Sequence, residues 1–533
     1  MLQKARLAQK ECLMKFDSIR HRLRWGTALG AGMVAALALG GCELGPNFHD
    51  PKPHTASSFL DNRPALTAPN GVDEGTVDLA WWQSFNDPDL TRLETAAIAQ
   101  NLDVRVATQQ LAEAQAQAEI EGAALYPNLN FSGSLTREGP SKKGIFNAFG
   151  GAGSGGNTTT STNAGQTANG SGSSTGGGGI SSSAIQPFNL FQYGFSSVFD
   201  FDLWGKNRRA VEASLAAVQA SRDARRAVLL NTEAEVAQTY VNLRAEQTVL
   251  QITDDNLKSA DHIAGLTGQR AQAGLANALD VADARSQAAS VRAKLPALHT
   301  SIDADINQLS LLLGREPGAL RDELITAGAV PPVPPVVPIG LPSQLLQRRP
   351  DIREASAKLH EATAEIGVAK ADFFPDVSLS GSVSLQALQF SNLNQLAAVT
   401  YAIGPQITLP LFEGGKLNGQ LKLRTAEQKA AAIDYAKTVL TAFHQVDNAL
   451  TAYDQEQQTF SALRTEVTES KRALGLAQER YREGLADYLQ VLTAQQTELA
   501  ATQAEAESLA QVSTDLVKLY QALGGGWQQT DPS

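Results

Sequence analysis

The second half of this chain repeats the first. Lys206, Val236, Arg270, Gly274, Leu275, Leu279, Val281, Ala284, Leu313 and Gly314 recur as Lys416, Val446, Arg480, Gly484, Leu485, Leu489, Val491, Ala494, Leu523 and Gly524, each 210 positions later and without a gap. Upstream, Asp103, Leu111, Pro127, Ser132, Gly133 and Ser134 recur 248 positions later as Asp351, Leu359, Pro375, Ser380, Gly381 and Ser382. Between these registers Tyr193, Phe201 and Leu203 match Tyr401, Leu409 and Leu411 at an offset of 208. The first copy therefore carries 40 surplus residues, and the second recovers two near Glu413 and Gly414. The surplus falls in one low-complexity run, from about Gly150 to Ser183. Duplication with a single insertion makes each half one structural unit and marks the insertion as a loop that tolerates bulk. A length of 533 would ordinarily suggest three or four domains, whereas two matched halves suggest one pseudo-symmetric body.

Residues 1–41 read as an export signal: basic Arg20, Arg22 and Arg24, an apolar run from Ala28 to Leu39, and Leu39-Gly40-Gly41 before Cys42. That tetrapeptide resembles a bacterial lipobox, which implies a covalent N-terminal lipid on Cys42. The apolar run is too short for a membrane helix of about 20 residues. Met1 and Met14 are both candidate starts. Without 1–41 the chain keeps 37 basic and 53 acidic residues, a net charge of −16. Such a balance argues against nucleic acid, whose phosphates call for Lys and Arg. Cys12 leaves with the signal, so Cys42 is the one mature cysteine and no internal disulfide forms. The three methionines leave with it too, disfavouring a thioether route for soft metals.

The mature chain divides into an extended leader (42–86), a first repeat (87–314), a Pro-rich linker (315–343), a second repeat (344–524) and a tail (525–533). Helical periodicity starts at Asp87-Pro88 and runs to about Leu125, where Pro127 ends it. Period two then takes over: Leu129, Phe131, Gly133 and Leu135 alternate with Asn130, Ser132, Ser134 and Thr136, and Val377, Leu379, Gly381, Val383 and Leu385 alternate with serines. Strands are expected at about 128–136, 193–204, 376–385 and 400–412, with an external Gly/Ser-rich loop at about 138–186. In water these would be half-buried sandwich strands. Export, lipidation and a hydroxylic second face favour an outer-membrane wall, with lipid on one side and water on the other. Four strands cannot close a barrel, and an open edge in hydrocarbon leaves backbone groups unsatisfied at several kcal/mol each. Copies must close it together; two chains give eight strands and three give twelve, and the pattern does not choose.

Each returning strand leads to a long helix. Lys206 to Ala264 lacks Gly and Pro, and 59 residues at about 1.5 Å each span roughly 90 Å. Leu229, Val236, Leu243, Leu250 and Leu257 repeat every seven residues, as do Val439, Val446, Tyr453, Phe460, Val467, Leu474 and Tyr481, the pattern of a left-handed coiled coil. Gly274 and Gly484 turn the chain, and return helices run to Gly314 and Gly524, the first expected to break at Pro296. The fold class is mainly α with transmembrane β, a duplicated helix-strand-strand-long helix-helix unit.

Trp81-Trp82 with Phe85 and Asp87, Arg348-Arg349-Pro350-Asp351-Ile352-Arg353 running into Glu365-Ile366-Gly367, Pro410-Leu411-Phe412-Glu413-Gly414-Gly415 and the paired Arg-x-x-x-Gly-Leu turns resemble the TolC-type outer-membrane efflux factors, specifically the lipoprotein channels of resistance-nodulation-division pumps. The resemblance covers essentially the whole mature chain. It implies a homotrimer with a twelve-stranded β-barrel continuous with a twelve-helix coiled-coil α-barrel in the periplasm. The implied partners are a periplasmic adaptor, an inner-membrane transporter and outer-membrane lipid. It places Arg270, Gly274, Leu275, Arg480, Gly484 and Leu485 at the adaptor contact. The glycines also supply left-handed helix caps, whereas apolar Leu275 and Leu485 at an exposed tip suggest a partner. The family gate uses Leu, Asp and Arg beyond the second tip. Leu489 is kept here, but Thr493 and Gln496 stand where the charges would be, while Asp280, Asp283 and Arg285 of the first copy offer charge at the same level, or simply a solvated helix face.

An enzyme is not expected: the seven histidines are scattered, and no Gly-rich loop follows a strand and opens a helix. No cofactor beyond the lipid, and no metal site, is expected. Two alternatives remain, a structural envelope lipoprotein or adhesin, and a type I protein-secretion channel; the first leaves the paired amphipathic strands unexplained, and the lipobox with the efflux-type motifs argues against the second.

Overall fold

The computed structural model describes residues 43–52, 59, 71–73, 75–77, 80–139, 187–274 and 276–529. The export signal, both candidate starts, Cys42, Leu275 and the Gly/Ser-rich insertion lie outside the described residues. The chain forms two compact units.

The sheet unit comprises Ala124–Lys206 and Asp372–Phe412 with the first leader residues. Strands β1 (Asn128–Glu138), β2 (Phe188–Asp200), β3 (Asp376–Ala387) and β4 (Val399–Thr408) form one antiparallel sheet in the order β1-β2-β3-β4. Register puts Phe131, Phe195, Val383 and Tyr401 in one row, and Ser132, Gly194, Ser384 and Thr400 in the next. Because side chains alternate with period two, the first row lies on an apolar face and the second on a hydroxylic one. The sequence predicts the returning strand at 193–204, but β2 spans Phe188–Asp200. Its start pairs with the far end of β1, Phe188 opposite Glu138, while left-handed Asp202 and Gly205 turn the chain away beyond its end. Beside this turn the Trp204 indole N–H donates to the Pro375 carbonyl at 2.8 Å.

The helical unit is built from α1 (Pro88–Gln100), α2 (Leu102–Ala123), α3 (Lys206–Gln272), α4 (Ala278–Leu312), α5 (Pro350–Ala371), α6 (Lys416–Arg482) and α7 (Tyr488–Leu523). Asp87 caps α1, its carboxylate accepting from the amides of Asp89 and Leu90 at 2.8 and 3.0 Å. The sequence predicts a single helix to about Leu125, but Asn101 divides it. Its side chain accepts from Val104 N–H and donates to the Leu312 carbonyl, so one buried amide starts α2 and ties it to the end of α4.

The long helix runs as expected to the glycine turn, whereas the break expected at Pro296 is corrected. Helix α3 passes through Gly265 and Gly268, and like α6 it has 67 residues. A helical glycine costs only about 1 kcal/mol, and buried Ile263 and Thr267 hold the seam on either side. Helix α4 is continuous through Pro296. That proline is exposed, so the Arg292 carbonyl it leaves without a helical donor can meet water.

The seven-residue seam of α6 is buried at Val439, Val446, Tyr453, Val467 and Tyr481. Along α3 it is buried at Leu229, Val236 and Leu243, then moves to Thr253, Asn256, Ala260, Ile263 and Thr267. A helix of 3.6 residues per turn drifts about 20° per heptad against a strict repeat, which carries the contact line onto polar positions. Side-chain hydrogen bonds take over there: the Gln495 amide donates to Asn256 Oδ1 at 2.9 Å and the Gln503 amide to the Thr253 hydroxyl oxygen at 3.1 Å.

The core gathers Trp81, Trp82, Phe85, Leu90, Leu93, Tyr240 and Tyr520, with Trp81 stacked on Tyr520 at 5.5 Å. The leader and linker meet as a parallel ribbon, Gly71–Asp73 beside Val336–Pro338. Toward the C-terminus the guanidiniums of Arg226 and Arg353 lie over the Trp527 ring at 4.6 and 5.4 Å, and buried Asp223 pairs with both. Glu94 and Glu233 are fully buried, and among the described residues none of their four carboxyl oxygens has a hydrogen-bond partner. Burial pushes the Glu233 carboxyl up to about 8. Burial, with repulsion from Glu233, raises Glu94 well above the carboxylate range.

Candidate functional site

Within the sheet unit, the hydroxylic face carries Ser132, Ser134, Gln192, Ser196, Ser382, Ser384 and Thr400. From Val377 to Phe412 the sequence contains no acidic, basic or histidine residue. The middle of this surface holds water without fixed charge, while Glu138, Asp200 and Asp376 lie on the same face toward its two ends. The opposite face exposes Leu129, Phe131, Leu135, Phe195, Val383, Tyr401, Ile403 and Ile407.

Within the helical unit, the sequence-derived site residues converge at the helix turns. Gly274 is left-handed (φ +74°), and its N–H donates to the Ala271 carbonyl. Asn277 then opens α4 with a capping box: its side chain accepts from Asp280 N–H at 2.8 Å, and the Asp280 carboxylate receives Asn277 N–H at 3.3 Å. Asp280, expected as gate charge, is therefore committed to starting a helix. At the second turn Leu485 N–H donates to the Arg480 carbonyl and left-handed Gly484 to that of Tyr481, the paired bonds of a Schellman cap. Leu485 and Arg480 are exposed.

Arg270 differs from its repeat partner Arg480. Its guanidinium lies 4.5 Å above the Tyr481 ring and donates to the Tyr481 carbonyl at 3.1 Å. Tyr481 meets Tyr488 edge to face, and both are buried with Ile263, Ala284 and Val491. Burial, with the nearby Tyr481, Asp283 and Asp280, pushes the Tyr488 phenol up to about 12, so it stays neutral. The first hairpin is thus fastened to the second by a cation held over an aromatic ring.

Beyond the turns, Leu489 is 62% exposed. Thr493 returns its hydroxyl to the Leu489 carbonyl at 2.8 Å, whereas Gln496 reaches Gln287 of the first hairpin at 3.0 Å. Asp283 and Arg285 are exposed on α4. The links across the hairpins at this level use amides and an aromatic clasp, and an ion pair between Arg292 and Asp261 lies further along.

The profile of a family described as outer membrane efflux protein matches residues 93–315 and 341–525. The chain belongs to that family. It is 32% identical over 499 residues to the antibiotic efflux pump outer membrane protein ArpC of Pseudomonas putida, covering 93% of this chain and 95% of that protein. Its fold is similar to that of the outer-membrane channel OprN, with a TM-score of 0.79 and 29% identity over 91% of this chain and all of that one. The open state of the Neisseria gonorrhoeae outer-membrane channel MtrE matches with a TM-score of 0.72 and 26% identity, over 92% of this chain and 99% of that one.

Membership makes this chain an outer-membrane efflux component, and the TolC-type resemblance read from the motifs holds. Among the described residues no helix is long and apolar enough to cross a membrane, and no group of three or more His, Cys, Asp or Glu could hold a metal ion. Sequence reasoning missed the role of Tyr481 and Tyr488. Their signal was two aromatics flanking a glycine turn, with Tyr481 also closing the heptad seam. It missed Glu94 and Glu233 as well, although Glu94 lies within the Leu90, Leu93, Ala97 stripe, where a charge is out of place.

Proposed function

We propose that three copies of this chain close a twelve-stranded wall and a twelve-helix tunnel, a passive conduit carrying small molecules out across the outer membrane. The observation that carries the reading is the sheet. Among the described residues its outer strands β1 and β4 each have one edge without a partner strand, while one face exposes a run of large apolar side chains. Hydrocarbon suits that face and forbids those edges, so further copies supply the missing strands.

In this reading the cargo comes from an inner-membrane resistance-nodulation-division transporter through a periplasmic adaptor. Arg480, Gly484 and Leu485, with Gly274 and Leu275, form the docking tip, and Arg270 works chiefly as an internal fastener. The gate level is held by the Arg270–Tyr481 clasp and the Gln496–Gln287 hydrogen bond instead of an ionic latch. Cys42 carries the lipid anchor. The chain performs no catalysis, and its contribution is a wet, weakly binding wall. Cargo of the antibiotic class named for ArpC is the first to try.

The test is planar-bilayer conductance of the purified protein, alongside its mass in detergent and drug accumulation in cells lacking the gene. Trimer mass, discrete conductance and raised accumulation support the reading. A monomer that conducts nothing overturns it.

A further inference from the structure

The hairpin joining β3 to β4, residues 388–398, is charge-free yet makes an ordered fold. We propose that it is a membrane anchor, folded back over the apolar side of the sheet and presenting Phe390 and Leu396 to lipid acyl chains of the outer leaflet. This rests on the outer-membrane wall reading given above.

The side on which it lies follows from ring contacts. Phe131 meets Tyr193 at 6.3 Å and Phe195 at 5.3 Å, so Tyr193 belongs to the apolar face, and alternation puts Phe191 there too. Phe390 packs edge-on against Phe191 at 5.7 Å, and the Tyr193 hydroxyl donates to Asn394 Oδ1 at 2.7 Å. Both fastenings hold the hairpin on the apolar side, away from the hydroxylic face.

Its side chains then divide in two. Leu393 and Ala398 are buried, whereas Leu388, Phe390 and Leu396 are exposed, Leu396 at 93%. A loop bathed in water gains nothing from three apolar side chains turned outward. Several of its polar groups are meanwhile paired within the hairpin. The amides of Asn392, Leu393, Gln395 and Ala398 donate to carbonyls three residues back, and Gln395 donates its side-chain amide to Asn392. Exposed apolar side chains set among exposed polar ones, with backbone amides paired locally, suit an interfacial position at the edge of the hydrocarbon.

Lipid is favoured over a second copy by position. The fastening residues sit on β2, an inner strand, while further copies join at the edges of β1 and β4. The exposed patch continues the apolar face that the wall reading turns toward lipid.

The test uses spin labels on single cysteines at Leu396→Cys, Phe390→Cys and Leu388→Cys in the full trimer reconstituted into phosphatidylcholine vesicles. Phe131→Cys and Ser384→Cys are the strand controls. Collision with oxygen, which concentrates in lipid, is compared with collision with a water-soluble nickel chelate. The expected result is that the hairpin labels follow Phe131→Cys, with an oxygen preference several-fold above that of Ser384→Cys. Hairpin labels that meet nickel while Phe131→Cys stays in lipid put the loop in water and overturn the inference. Labels shielded from both reagents mean a protein cover and overturn it as well. If the two controls behave alike, the wall reading itself has failed, which is a separate outcome. Should one hairpin variant not assemble, the other two positions carry the same comparison.

Discussion

The Arg270 guanidinium stands 4.5 Å over the ring of Tyr481 and donates to its carbonyl at 3.1 Å, joining the end of the first long helix to the end of the second. The repeat does not reproduce this contact. Arg480 is the copy of Arg270, but the residue in the first copy that matches Tyr481 is Ala271, which has no ring. A duplicated chain has thus acquired a one-sided fastening where its two hairpins meet, and near it the Gln496 side-chain amide donates a hydrogen bond to Gln287 Oε1.

Removing that fastening should loosen the tip. A partly desolvated cation over an aromatic ring contributes about 1–2 kcal/mol, enough to shift a two-state equilibrium roughly tenfold. Arg270→Ala is expected to raise single-channel conductance or open time in planar bilayers with trimer assembly unchanged. Arg480→Ala should change neither by a comparable amount, and Tyr481→Phe, which keeps both ring and carbonyl, should behave like the parent. Equal conductance for Arg270→Ala and the parent would rule out the clasp as a restraint.

Glu233 sets a pH dependence of stability. Its folded-state carboxyl is pushed up to about 8 by burial, from an ordinary value near 4.5. A raised acid binds its proton more tightly in the folded state, so its contribution is most favourable below about 4.5. It declines as pH rises through the window to about 8, by several kcal/mol at most. Glu94, raised by the same burial and by its neighbour, adds in the same direction. Glu233→Gln, neutral throughout, should match the parent near pH 5 and melt at a higher temperature near pH 8, as measured by thermal unfolding in detergent. Parallel melting curves for the two proteins across that range would contradict this.

How much of this was legible in the sequence depends on the range of the interaction. The alternation of Ser132 and Ser134, copied at Ser380 and Ser382, announces a two-faced strand because a strand's period is local. The seam from Val439 to Tyr481 is equally plain, since a heptad is written along one helix. Asn101 interrupts its helix by bonding the carbonyl of Leu312, a residue far away in sequence that no window around Asn101 contains. The clasp was hidden for a further reason: the repeat invites Arg270 and Arg480 to be treated alike, and only packing separates them. Asp280 reads as gate charge in the sequence, and the structure adds a capping-box role to it.

Gly45 has a sharp requirement. Its φ is +110°, and a β-carbon there would lie 2.6 Å from the Gly367 α-carbon, so the leader crosses α5 glycine to glycine. Phe48, three residues on, stacks on His360 at 4.5 Å, and His360 meets Glu212 at 2.8 Å. Gly45→Val adds a backbone cost of about 1–3 kcal/mol to the collision. The expected outcome is faster protease cleavage within 43–52, followed by mass spectrometry, with the trimer still assembled. Phe48→Ala should reproduce the effect more weakly. An unchanged cleavage rate for Gly45→Val would mean that the crossing is not maintained in solution.

The two faces of the sheet should respond oppositely to charge. Phe131 and Ser132 are neighbours on β1, yet Phe131 sits in a row with Phe195, Val383 and Tyr401, while Ser132 sits in a row with Gly194, Ser384 and Thr400. An arginine facing the middle of a bilayer costs about 2–4 kcal/mol, and one facing a water-filled lumen costs far less. In the proposed trimer three copies multiply the difference, because each places the same residue in the wall. Phe131→Arg should therefore sharply lower the amount of trimer recovered from outer membranes, whereas Ser132→Arg should assemble and instead shift the ion selectivity of the conductance toward anions. If the serine variant fails to assemble while the phenylalanine variant succeeds, the faces are the reverse of those assigned here, and the hydroxylic side cannot be the wall of the conduit.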